Sequence, residues 1–120
     1  MPKILLIEDE TQHTALVKMR LAAQGMQVST APTAGDGVIA ATKEEPDLIL
    51  LDLLLPDMTP EKAIRALRAI PCAAKTPIVA FTALDPAEIR RRRLDSELAG
   101  VVQKPYESEE LLGAIKKILK

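Results

Sequence analysis

The stretch "PDLILLDLLLPDM" (residues 46–58) sets one aspartate, Asp52, behind four apolar residues and ahead of three. A carboxylate buried without partners is costly and ordinarily shifts its pKa and neutralises. Either Asp52 ends a strand and emerges at its tip, or partners hold it there for a purpose. The apolar run before it is unbroken from Leu48 to Leu51. A strand covered on both faces has that pattern, and an alternating one does not.

Working outward, "KILLI" (3–7) and "PIVAFTA" (77–83) show the same continuous apolarity, with the third strand spanning 47–52. "MQVST" (26–30) alternates like a half-buried strand, and "VVQK" (101–104) is a fifth. Helical spacing fills the intervals. From Thr11 to Gln24, Leu16, Val17 and Leu21 recur on one side, and Gly25 is placed to end the helix. Thr33 caps a helix over 34–44, with Asp36 three residues on. Thr59 is the N-cap of "TPEKAIRALRAI", and Pro60 takes the first helical position, where a missing N–H costs nothing. "PAEIRRRRLDSELA" (86–99) predicts a fourth helix. Ser108 to Leu119 predicts the last, with a stripe of Leu111, Leu112, Ile115, Ile118 and Leu119. Strand and helix thus alternate five times, the signature of an α/β fold: a doubly wound parallel sheet with helices on both faces.

Composition agrees. The 120 residues make one domain, 1–120, large enough for a real core. Apolar residues are 48% and aromatics only 2%, so Leu, Ile, Val and Ala must build that core. With 16 basic and 17 acidic residues, the net charge is −1, which argues against a direct nucleic-acid binder. The lone Cys72 has no internal partner for a disulfide, which fits a reducing, cytoplasmic compartment. No apolar run approaches the ~18 residues of a membrane span, and "MPKILLIEDE" turns acidic too early for a signal peptide.

Doubly wound sheets place their sites beyond the carboxyl ends of the strands. The first strand ends at Glu8-Asp9, the third at Asp52, the fourth at Thr82 and the fifth at Lys104. Three carboxylates alone repel each other, so the cluster asks for a hard divalent cation with oxygen ligands, and Mg²⁺ suits it. With cation and lysine neutralising charge, Asp52 stays ionised and can attack phosphorus to form an acyl phosphate. Lys104 and Thr82 would hold the oxygens of the incoming group.

The acidic pair in "LLIEDE", the acceptor in "DLILLDLLLPDM", Thr82 in "FTA" and Lys104-Pro105 in "QKP" stand in order along the whole chain. In these marks the sequence resembles a response-regulator receiver domain of two-component signalling, similar to the single-domain chemotaxis regulators. The resemblance implies a flavodoxin-like strand order 2-1-3-4-5 and a phosphoacceptor that is not an enzyme in its own right. It implies Asp52 as phosphoacceptor and metal ligand, Asp9 as the direct metal carboxylate, Glu8 acting through water, and the Leu54 backbone carbonyl as the remaining ligand. It implies Mg²⁺ as cofactor, Thr82 and Lys104 at the phosphoryl group, and a cis Lys104–Pro105 bond. The implied partners are a histidine kinase or histidine phosphotransfer protein, and a downstream protein on the face of helix 4, strand 5 and helix 5.

Several residues have plainer readings. Glu10 complements the helix dipole. His13 is a surface residue early in helix 1. Arg90–Arg93 fan over about 300° of helix, so they form no single basic face, and a solvated or partner-facing helix is expected. Two departures from the family pattern stand out. Val101 occupies the position, three before Lys104, where many receivers carry an aromatic ring, while Tyr106 lies beyond the lysine. Thr59-Pro60 replaces a common aspartate-glycine. Leu54 and Leu84 fall where receivers flank the path of attacking water.

Two other functions fit the same topology. A flavodoxin-like cofactor binder would want a Ser/Thr/Gly-rich phosphate loop after the first strand, where "EDE" presents anions instead. A pseudo-receiver, an interaction platform independent of phosphorylation, would not need the full acceptor set.

Overall fold

The computed structural model describes residues 1–119. Its elements run β1 (Lys3–Ile7), α1 (Thr11–Ala23), β2 (Gln27–Ala31), α2 (Ala34–Glu44), β3 (Leu48–Leu51), α3 (Pro60–Arg68), β4 (Ile78–Thr82), α4 (Pro86–Arg91), β5 (Gly100–Gln103) and α5 (Ser108–Ile118). All strand pairs are parallel, in the order β2-β1-β3-β4-β5.

The unbroken apolar strands are explained by two separate cores. Leu5, Ile7, Ile49, Leu51, Ile78 and Ala80 pack against one helical layer that includes Ala41, Ile64, Leu67 and Ile89. Ile4, Leu6, Leu48, Leu50, Val79 and Phe81 face the opposite layer, with Val17, Leu21, Leu111 and Ile115. Burial on both faces therefore removes the alternation that a one-sided sheet would keep.

Local signals set the helix ends. Thr33 Oγ1 accepts from the Asp36 N–H, and Thr59 Oγ1 from the Lys62 N–H. Gly25 takes φ +82°, a left-handed conformation that glycine adopts without steric cost, directly after α1. At α5 the capping box is built by Glu107 and Glu110.

The fourth helix is shorter than its sequence pattern predicts. It ends at Arg91, Arg93 takes φ 58°, and a 3₁₀ turn covers Leu94–Glu97. Helical geometry gives the reason. Leu94 lies five residues after the buried Ile89, which a continuous helix would rotate about 140° away from it. Breaking the helix returns Leu94 to the same core as Ile89. The four arginines consequently share no single helix, and Arg92 makes a two-pronged contact with Glu61 of α3. A second 3₁₀ turn, Pro71–Ala73, follows α3.

Candidate functional site

The strand order reverses at β1, which has β2 on one side and β3 on the other. The crevice beyond the carboxyl ends of β1 and β3 is therefore the topological switch point. Register carries residues into it: Ile7 pairs with Leu51, and Leu51 with Ala80. Each next residue is held by backbone, the Asp52 N–H donating to the Ile7 carbonyl and the Glu8 N–H to the Ala31 carbonyl.

Asp52 thus stands one residue past its strand, and it is only 6% exposed. The carboxylate is buried at the strand tip, and both of its oxygens are partnered. Asp52 Oδ1 accepts from the Leu54 N–H at 2.9 Å, and Oδ2 from Lys104 Nζ at 3.2 Å. Lys104 Nζ also reaches Glu8 Oε1 at 3.1 Å and Oε2 at 3.3 Å. Glu8 is 2% exposed, whereas Asp9 lies at the open rim. Glu8, Asp9 and Asp52 each offer an oxygen within 4.8 Å of the others. Three carboxylates gathered this closely supply the hard oxygen donors that suit Mg²⁺, which takes few protein ligands and keeps several waters.

Thr82 ends β4 fully buried, and its backbone carbonyl accepts from the Lys104 N–H. Its hydroxyl accepts from the Leu84 N–H at 3.2 Å, a bond within the β4–α4 loop. The structure therefore gathers Glu8, Asp9, Asp52 and Lys104 into one cluster and sets Thr82 on its border. Leu54 follows with a side chain 50% exposed at the mouth. The Lys104–Pro105 peptide is cis.

The electrostatics of the pocket are unequal. Burial, then the hydrogen bond and charge of Asp52, push Glu8 up to about 8, with Lys104 opposing. Burial also acts to raise Asp52. The Glu8 hydrogen bond, the Leu54 N–H and the Lys104 charge outweigh it and hold Asp52 below the usual carboxylate range. Asp52 is thus the anion of the pair, the state a nucleophile needs.

Two features depart from the sequence reading. His13 is not a simple surface residue: Nδ1 lies 3.1 Å from Glu8 Oε1, and Nε2 lies 2.6 Å from the Tyr106 hydroxyl. Asp57, which no sequence motif marks, accepts from the Ala34 and Gly35 N–H groups at 3.0 and 2.9 Å. An Asp two residues before a capping Thr is a weak signal. Nothing local pointed to α2.

The response regulator receiver domain family model matches residues 4–116. The chain belongs to the receiver domain family. Receivers are phosphoacceptor modules of two-component signalling rather than catalytic enzymes, and they interact with histidine kinases. This receiver is 32% identical over 120 residues to the phosphate regulon transcriptional regulatory protein PhoB of Rhizobium meliloti, covering 100% of this chain and 53% of that protein. The chain spans about half the length of that and other curated relatives it matches. The chemotaxis response regulator CheY4 of Vibrio cholerae superposes with a TM-score of 0.89 at 26% identity, over 98% of both chains. The receiver domain of the sensor histidine kinase PA1611 of Pseudomonas aeruginosa has a TM-score of 0.88 and 27% identity, over 99% of this chain and 98% of that one. That receiver was solved with a magnesium ion coordinated in its active-site cleft. No helix among the described residues of this receiver is long and apolar enough to cross a membrane.

Proposed function

We propose that residues 1–120 act as a receiver unit whose Asp52 takes a phosphoryl group from the phosphohistidine of a histidine kinase or histidine phosphotransfer protein. In that step an Asp52 oxygen attacks phosphorus, the P–N bond breaks, the imidazole leaves, and an acyl phosphate remains on Asp52. The observation that carries the reading is the Lys104 ammonium bonded at once to Asp52 and Glu8, beside a rim carboxylate at the switch point. Lys104 holds Asp52 ionised and in place, and can turn to a phosphoryl oxygen once one is there. Asp9 and Asp52 would hold Mg²⁺ directly, with Glu8 acting through water and the Leu54 carbonyl completing the protein's share. When bound, the ion neutralises charge developing on the transferred group.

Thr82 is the proposed second ligand to the phosphoryl oxygens. Drawing its hydroxyl inward would release the Leu84 N–H that it now accepts from, loosening the β4–α4 loop. The proposed consequence is altered binding of a downstream protein on the α4, β5 and α5 face, where Val101 is 41% exposed. A phosphorylation-independent platform would have no use for the Lys104 tie.

Incubation with acetyl phosphate and Mg²⁺ should add one phosphoryl group, labile to alkali. Asp52→Asn should abolish it, because an amide is not a useful nucleophile. Label mapped to Asp57, whose oxygens are already engaged by two backbone N–H groups, would overturn the assignment.

A further inference from the structure

The chain has one histidine, one tyrosine and one phenylalanine, and the fold brings all three together beside the acceptor pocket. The His13 ring stacks on Phe81 with centroids 5.5 Å apart, and meets Tyr106 edge-on at 5.7 Å. Lys104 Nζ lies 4.9 Å from the centroid of the same Phe81 ring. Polar contacts link the group without a gap. Tyr106 hydroxyl meets His13 Nε2, His13 Nδ1 meets Glu8 Oε1, Glu8 accepts from Lys104, and Lys104 holds Asp52.

The His13 ring bridges its two neighbours through opposite nitrogens. A neutral imidazole offers one donor and one acceptor. Either tautomer therefore bridges the Tyr106 hydroxyl and Glu8 Oε1, donating at one nitrogen and accepting at the other, and Glu8 Oε1 accepts from Lys104 as well.

We propose that His13 is a positioning residue that fixes Glu8 and carries the state of the Asp52 pocket to Tyr106, making the β5–α5 connection a read-out surface. The proposal rests on the phosphoacceptor reading of Asp52. In the ligand-free pocket, Lys104 divides its donors between Glu8 and Asp52. Once Lys104 turns to a phosphoryl oxygen, Glu8 keeps His13 as its side-chain partner and is free to shift. Phe81 confines the ring of His13, so the imidazole follows Glu8 by sliding along the stack. Tyr106, bonded at 2.6 Å, must move with it or lose the bond. His13 and Tyr106 line an open groove of about 380 Å³ with Leu16 and Arg20 of α1, so the movement changes a solvent-facing surface. This path supplies a moving ring that Val101 cannot provide on the opposite side of β5.

The chain has no tryptophan, so its intrinsic ultraviolet emission comes from Tyr106. The first arm needs no phosphate or metal: a double-mutant cycle of Glu8→Gln with His13→Phe, read as Tyr106 emission. His13→Phe keeps the stack on Phe81 and removes both hydrogen bonds. Glu8→Gln should change Tyr106 emission in the native background, and His13→Phe should remove more than half of that change. His13→Gln, which keeps a donor and an acceptor, should restore part of it. A purely structural His13 would shift the baseline and leave the Glu8 response intact. That result, or a native protein whose Tyr106 ignores Glu8→Gln, overturns the proposal. The second arm adds acetyl phosphate and Mg²⁺ and expresses the emission change per mole of phosphoryl bound. The native protein should respond and His13→Phe should lose most of the response; equal responses per mole overturn the relay. A native protein that takes no label counts against the phosphoacceptor reading instead, and the first arm then decides the relay alone.

Discussion

Two aspartates five positions apart do different work because their oxygens meet different donors. Asp52 faces the Lys104 ammonium, whereas both oxygens of Asp57 are spent on the first N–H groups of α2, tying the β3–α3 loop to that helix. Those N–H groups, Gly35 first, hold Asp57 below its usual 3.8. A depressed folded pKa contributes stability above the unfolded value and loses it as pH falls through the folded one. Asp57→Ala should therefore lower stability at neutral pH by about 0.5 kcal/mol, the low end for a cap at an exposed site. Denaturant titrations should show the gap closing as pH drops below about 4, and a gap that persists would contradict this account. Leu54 and Leu84 lead to a kinetic expectation. Neither can orient a water, and hydrolysis then forfeits the positioning that catalysis relies on. Leu84 packs partly into the core, so Leu54 at the mouth is the better lever. The phosphorylated state should decay slowly, and Leu54→Gln should speed phosphoryl loss about tenfold, a change of ~1.4 kcal/mol in barrier. A half-life of seconds in the native protein would refute it. At this scale the gathering of Glu8, Asp9, Asp52 and Lys104 was legible because each lies just past the end of a strand. His13 was misread because its partner Tyr106 lies 93 positions away, with no local pattern to announce it.

Between residues and fold, the elements obey packing more closely than propensity. Glycine in a helix interior costs about 1 kcal/mol against alanine, so Gly37 of α2 and Gly113 of α5 both look improvable. Their surroundings differ. A Cβ on Gly37 of α2 would run into Ile7, 2.9 Å from Cγ1 and nearer still to Cδ1, with Cγ2 also crowded. Ile7 is wholly buried and directly precedes Glu8, so it has little room to yield. Gly113 of α5 has nothing within 4 Å of the added carbon. Gly37→Ala should destabilise, with ~1–3 kcal/mol of overpacking exceeding the propensity gain, while Gly113→Ala should stabilise by up to ~1 kcal/mol. Denaturation midpoints at unchanged slope would read both. Shifts of the same sign would show that α2 does not seat on β1 as described. The sequence showed where each strand lay because burial on both faces leaves an unbroken apolar run. The break after Arg91 escaped a reading by helix formers, since arginine, leucine and glutamate all favour helix. The five-residue step from Ile89 to Leu94 was the available clue, and the left-handed turn at Arg93 is what it costs to honour that step.

The whole molecule joins the pocket to global stability through one proton. Burial and the neighbouring Asp52 raise Glu8 from 4.5 to about 8, so the ligand-free fold holds that proton more tightly than the unfolded chain does. The resulting stabilisation is complete below about 4.5 and drains away as pH climbs toward about 8, because the folded state then must release a proton that the unfolded state has already lost. A divalent cation among Glu8, Asp9 and Asp52 favours the deprotonated carboxylates and therefore competes with the same proton. Mg²⁺ should accordingly bind more tightly and stabilise more as pH rises across that window. At ten times its dissociation constant the gain is about 1.4 kcal/mol, a rise of several degrees in melting temperature. Melting curves with and without Mg²⁺, at pH about 6 and about 9, test both halves of the linkage. Without the ion, stability should be lower at the higher pH, and at a fixed Mg²⁺ concentration the ion-induced rise should be larger there. Asp9→Asn should remove most of the rise at either pH, since it deletes the carboxylate at the rim while leaving the Glu8–Lys104–Asp52 contacts in place. An ion-induced rise that shrinks with pH would mean that the cation does not compete for Glu8, and one that survives Asp9→Asn would place the metal elsewhere.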